Sequence, residues 1–104
     1  MLDKIQRCFR YNRVLYTRHA KIEMETEELG ELCEREVFEA VQNGEVIEEY
    51  LDDEPYPSML IYGKTGDGRP VHATCAYSNE DDLAIVVTVY HPDVNKWVDY
   101  RERK

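Results

Sequence analysis

The sequence predicts an α+β fold, with N-terminal helices packed on one face of a four-stranded antiparallel β-meander. Three observations carry this prediction. Apolar residues recur at helical spacing as far as Val41, and from Glu45 onward the period changes to two. The strand-like runs are joined by short polar links, so neighbours in sequence pair as neighbours in space. Helices come first and strands after, without the alternation that a parallel sheet requires.

Each element has its own signal. Leu2, Ile5 and Phe9, with Cys8 beside them, fall on one side of a helical wheel. Lys4, Arg7 and Arg10 fall on the other, so residues 2–12 read as an amphipathic helix with a basic outer face. Thr17 is a natural N-cap, and a second helix runs from about Arg18 to Glu28, burying Ala20 and Met24. Gly30 breaks the pattern. Cys33, Val37, Ala40 and Val41 then recur at helical spacing, and Asn43-Gly44 supplies the stop. EVIEEY, SMLIYGK, PVHATCAY and LAIVVTVY are the four strands, separated by LDDEPYP, TGDGR and SNEDD. Asp67-Gly68 is a strong hairpin signal. LAIVVTVY is apolar on both faces and reads as an interior strand, while the tail NKWVDYRERK reads as a turn with a frayed basic end.

At 104 residues the chain is expected to be one domain, 1–104, with a single modest core. Cys8, Cys33 and Cys75 form no C-x-x-C pair, which points to reduced thiols in a cytoplasmic protein. No segment approaches the ~20 apolar residues of a membrane span, and the N-terminus lacks a signal peptide's apolar run, so no membrane partner is expected. The net charge of −9 disfavours a uniformly cationic nucleic-acid binder. Its distribution is uneven. Residues 1–21 carry +5, residues 22–57 carry −13 with Arg35 their only base, and the remainder carries −1. Opposite patches on one molecule also make a homodimer a candidate state.

Three histidines bear on chemistry. His19 stands at the start of the second helix between Arg18 and Lys21. The helix dipole and both cations disfavour a protonated ring, which makes His19 a candidate general base beside a phosphate site. The structural alternative is that it anchors the helix start or pairs with Glu23 one turn on. His72 lies in a strand, on the face opposite Val71, Ala73, Cys75 and Tyr77. If those four meet the helices, His72 sits on an open sheet face, where Thr88 and Tyr90 join it if the register allows. His, Thr and Tyr on such a face can stack on or hydrogen-bond RNA bases. Alternatively, His72 is half-buried and bonded to a neighbouring strand. His91, just before Pro92, reads as an exposed loop residue. No ligand spacing marks a metal site, no cofactor is expected, and GKTGDGRP lacks the ending of a P-loop.

RHAKIEM, AVQNGEVIEEYLDDEPYPSMLIYGKTGDGRPVHATCAY and VVTVYHPDVNKW together resemble an uncharacterised prokaryotic family. It is the domain-of-unknown-function family numbered forty-two fifty-eight, and the likeness spans roughly residues 16–100. Its members look distantly like RelE and BrnT type toxins, small ribonucleases of toxin–antitoxin pairs. The resemblance therefore implies a RelE-like fold, RNA as target and an antitoxin-like protein as partner. The family's two recurrent histidines fall on His19 and His72, and its TVY-P segment on Thr88, Val89, Tyr90 and Pro92. Where related toxins carry arginines after the HA motif, this chain has Glu23, Glu25, Glu27 and Glu28.

The function expected on these grounds is a metal-independent ribonuclease or RNA-binding toxin. His19 would act as base, His72 as acid or phosphate ligand, Arg18 and Lys21 as charge stabilisers, and Thr88 and Tyr90 as substrate contacts. For one phosphate to reach both rings, the two histidines must lie within ~7 Å in a common cleft. The competing expectation is a non-catalytic acidic module that binds a protein or a second copy of itself.

Overall fold

The three helices form where the apolar period places them, within two residues of the expected bounds. A computed structural model describes all 104 residues. Helix α1 (Leu2–Arg10) buries Ile5, Cys8 and Phe9, and stops two residues early at Tyr11 and the left-handed Asn12. Helix α2 (Arg18–Thr26) is capped by Thr17, whose Oγ1 accepts from Ala20 N–H at 3.0 Å. Helix α3 (Glu34–Gln42) starts at Cys33, whose N–H donates to Glu36 Oε1 at 3.0 Å. It stops at Asn43 as the sequence predicts. The Asn43 amide donates to Glu39 O and Lys64 O and accepts from Lys64 N–H, tying the helix end to the sheet.

The four predicted strands are β2 (Glu45–Tyr50), β3 (Ser58–Lys64), β4 (Pro70–Ser78) and β5 (Leu83–Tyr90), paired antiparallel in sequence order. The sheet nevertheless has five strands. A three-residue strand, β1 (Val14–Tyr16), joins it parallel to β5 with Val14 opposite Ala84 and Tyr16 opposite Val86. The order β1-β5-β4-β3-β2 makes the sheet mixed, which corrects the expected four-stranded meander. Three residues are too few to show an alternation, so β1 carries no periodic signal. With β1 on one edge and β4 on the other, β5 is an interior strand, as its sequence predicts.

All three helices pack on one sheet face. Ile5, Phe9, Ala20, Met24, Val37 and Val41 meet Ile61, Val71, Ala73, Cys75, Val86 and Val89 in one buried cluster. The α3–β3 approach is closest at Gly63, where an added Cβ would lie 1.8 Å from Ala40 O. The basic face of α1 is largely committed to the fold. Arg7 pairs with Asp82 at 2.5 Å, Arg13 donates to the carbonyls of Asp81 and Asp82, and Arg10 donates to Gln42. The bonds from Arg7 and Arg13 hold down the β4–β5 turn, and the one from Arg10 ties α1 to the end of α3.

The opposite face is not open. The C-terminal segment folds back over one end of it as a small hairpin of β6 (Trp97–Val98) and β7 (Glu102–Arg103). Trp97 is buried against the sheet, Arg101 pairs with Glu45, and Arg103 donates twice to Glu48 at 2.8 and 3.0 Å. The expectation of a frayed basic end is therefore overturned. Cations on the tail find the carboxylates of β2, a long-range match that local patterning does not reveal. No helix is long and apolar enough to cross a membrane.

Candidate functional site

Beyond Val86 the strand β5 has no partner on the β1 side, because β1 ends at Tyr16. Its backbone carbonyls and N–H groups there need other partners. Thr17 takes the first step: its N–H donates to Val86 O and its hydroxyl to Val87 O. One and two turns along α2, Glu23 Oε1 accepts from Val89 N–H at 3.1 Å and Glu27 Oε2 from His91 N–H at 3.2 Å. Two acids that look like surface charge thus replace a missing strand. Glu23→Ala should cost about 1–3 kcal/mol, the desolvation penalty of an amide left without its acceptor. Glu23→Gln, which keeps an oxygen in place, should retain most of the stability in urea unfolding.

His19 belongs to the same line of contacts. Its Nε2 lies 3.4 Å from Glu23 Oε1, and its side chain is 68% exposed. The i+4 pairing is therefore realised. The side chains of Arg18 and Lys21 beside it make no hydrogen bond or ion pair. The three stand on the helix side of the sheet.

His72 is on the other side. It is fully buried, with Nε2 donating to Tyr100 O at 2.6 Å, and Nδ1 taking a bond from the Tyr90 hydroxyl at 3.3 Å. A carbonyl oxygen only accepts, so Nε2 carries a proton, and burial disfavours a second one on Nδ1. Trp97 packs edge-on against it with centroids 4.4 Å apart, and Tyr62 and Tyr90 close the other sides. The open face predicted for His72 is covered. The predicted adjacency with Tyr90 does hold, because the register sets His72 opposite Tyr90 and Thr74 opposite Thr88. His19 and His72 are thus separated by the sheet, and the one-cleft geometry required of a two-histidine nuclease is not formed.

Burial pushes the His72 pKa down, outweighing the bond to Tyr100 and the nearby Glu48. The unfolded ring, with its ordinary pKa near ~6.5, binds a proton more readily than the folded one. Stability should be fully present above that pH and fall as pH drops below it toward the lowered folded value. Urea midpoints measured from pH 7.5 to 5 should show this loss in the parent and a flatter profile in His72→Gln.

His91 is buried as well, contrary to the loop reading. Its Nδ1 donates to Pro70 O at 2.7 Å, so Nε2 is left to accept from Arg69 Nη1 at 3.3 Å. Arg69 also pairs with Glu36 at the start of α3. Sequence order puts these residues far apart, and only the hairpin turn after β3 brings them together.

Beside this cluster, at the end of β5, lies a cleft of about 600 Å³. Tyr90, His91 and Trp97 form one wall. Asp93, Asn95, Lys96, Arg103 and Lys104 supply its polar rim. Burial raises the Tyr90 pKa to about 12, so its hydroxyl remains a donor at neutral pH. Of the residues predicted as site, only Tyr90 lines this cleft, with His72 directly beneath it. Its cations sit in the tail that reads from the sequence as a frayed end, where no local pattern marks them. No three His, Cys, Asp or Glu side chains converge as metal ligands.

The model of a family described as a domain of unknown function matches residues 16–91, well over half the chain. The match ends at His91, so most of the cleft's rim comes from residues beyond it. Comparison with curated proteins and with solved structures gave no match.

Proposed function

This chain belongs to the DUF4258 family, a domain of unknown function, and on that premise we propose that it binds single-stranded RNA in the cleft at the end of β5. The observation that carries the reading is the gathering of Lys96 and Lys104 around Tyr90 and Trp97, with Arg103 already paired to Glu48 behind them, on an otherwise acidic molecule. Cations that track a phosphate backbone beside aromatic rings are the common equipment of single-strand binding. Asp93 and Asn95 on the same rim are groups that can hydrogen-bond a ribose 2′-hydroxyl. The volume suits one or two nucleotides, within the range of ordinary ligand sites.

Cleavage by His19 and His72 is not part of this proposal. A general base and a general acid must reach the same phosphate, and these two rings look to opposite sides of the sheet.

Trp97 is the only tryptophan and forms part of the wall, so intrinsic fluorescence reports binding directly. Titration with heptauridylate should give saturable quenching that weakens with salt. Lys96→Ala should lower the slope of log K against log salt by about 0.7, as for one phosphate contact to a single strand. Heptadeoxythymidylate should bind more weakly. Absence of quenching, together with no shift of a labelled oligouridylate in anisotropy, would overturn the reading.

A further inference from the structure

His72 is buried between the sheet and the end of the chain. Three strands face it with titratable groups: Tyr62 of β3, Tyr90 of β5 and Glu48 of β2, whose carboxylate accepts from Tyr50 and Arg103. The C-terminal hairpin closes the site, with the Trp97 ring edge-on to the imidazole and the Tyr100 carbonyl on its Nε2. Arg103 lies over Trp97 and Arg101 over Tyr62, each paired with a carboxylate of β2. No carboxylate pairs with the ring itself: its two nitrogens meet a carbonyl and a hydroxyl. Glu48 is already paired with Arg103, so that pair offers the ring little net charge. A second proton on His72 would be a buried charge, and such a charge is stable only once water reaches it.

We propose that this hairpin is an acid-released strap, docked on the sheet while His72 carries one proton and lifted off when the ring takes up a second. Lifting breaks no ladder bond of the five-stranded sheet, because β6 and β7 pair only with each other. The hairpin is the last stretch of chain, and two strands of two residues do not hold together alone once detached. Burial sets the sign. The covered ring binds a proton less readily than an uncovered one. Docking is therefore complete above the ordinary histidine pKa of ~6.5 and is lost as pH falls below it. Lys96, Trp97, Arg103 and Lys104 ride on the strap, so its release takes the cleft apart and frees whatever the cleft holds. His72 controls the cleft from beneath, without lining it.

Amide exchange in the full-length chain, corrected for its intrinsic pH dependence, tests this. Opening at Trp97 and Lys104 should increase by up to about tenfold per pH unit below ~6.5, the limit for uptake of one proton. Protection in β3 and β4 and the circular dichroism spectrum should stay unchanged. Emission of Trp97, the only tryptophan, should shift to the red over the same range. His72→Gln keeps a donor for the Tyr100 carbonyl but takes up no proton, and should flatten both profiles. His19→Gln should keep the parent's profile. If His72→Gln leaves the hairpin undocked at neutral pH, the ring itself decides: by NMR it should titrate lower in the parent than in Trp97→Ala. No acceleration down to pH 5, equal acceleration in a docked His72→Gln, or equal ring titration in the parent and Trp97→Ala would each overturn the proposal. Loss of protection in β3 and β4 in step with the hairpin would overturn it too, as unfolding of the whole chain. None of these results bears on whether the docked cleft binds RNA.

Discussion

Gly63→Ala should destabilise the protein by about 3 kcal/mol or more, the upper range for forcing extra volume into a packed interior. The reason is distance. The new Cβ would stand 1.8 Å from Ala40 O, 2.6 Å from Ala40 C and 3.0 Å from Ala40 Cα, all backbone atoms of α3. A side chain can rotate away from such a contact, but a helix carbonyl cannot without moving the helix. The helix is also fixed at its end by the Asn43 bonds to Lys64. A further substitution, Ala40→Gly, should give no rescue, because the clash is not with the Ala40 methyl. Gly66→Ala is the control: its Cβ would meet only the Glu39 carboxylate, at 2.9 Å, the mobile end of a side chain. It should cost less than about 1 kcal/mol. Urea midpoints at constant m separate the two. A Gly63→Ala protein as stable as the parent would mean that α3 does not lie against β3 as described.

Trp97→Ala should cost about 3 kcal/mol, at the low end for truncating a buried tryptophan, and the loss should be local. The C-terminal hairpin is held by this ring, which packs against His72 and carries Arg103 at 4.7 Å from its centroid. Apart from the bond from His72 to Tyr100 O, what else holds the segment is weak. The ion pairs to Glu45 and Glu48 involve half-exposed arginines, and such pairs are worth about 0–1 kcal/mol each. The turn between β6 and β7 sets Asp99 and Tyr100 at φ of 51° and 63°, a conformation that disfavours a tyrosine. Without Trp97 the hairpin should detach while the helix-side core stays intact. Hydrogen exchange should speed up at Trp97 and Lys104, whose amides bond within the segment to Asp93 O and Lys96 O. Exchange in β3 and β4 on the core side should change little. The acid sensitivity assigned to His72 should fade as its ring meets water. Trp97→Phe should keep most of the docking. Uniformly faster exchange through β3, β4 and α3 would show that the hairpin is not a separate layer.

The helices and the four long strands were legible because each is long enough to display a period, and because Thr17, Asn43 and Asp67-Gly68 are local stop and start signals. The site was only partly legible. Strand alternation groups His72 with Thr74 and Ala76, and Thr88 with Tyr90, but the two sets meet only through a register that turns alone do not specify. For His19 the sequence offers two partners, a bound anion and the Glu23 carboxylate one helical turn away. Nothing in the sequence told which of the two it meets.

Composition and periodicity by themselves determined the α+β class, the helix-facing residues, the order of the meander and the uneven charge. Those features depend on neighbours within a turn or two of chain. Tertiary structure alone decided that β1 closes the sheet in parallel, that Glu23 and Glu27 stand in for a missing strand, that His91 is buried, and that the tail covers His72. Each of these is a contact between residues dozens of positions apart. Such contacts form only where folding brings an unpaired backbone donor, a carboxylate or a ring within bonding distance of a group that satisfies it.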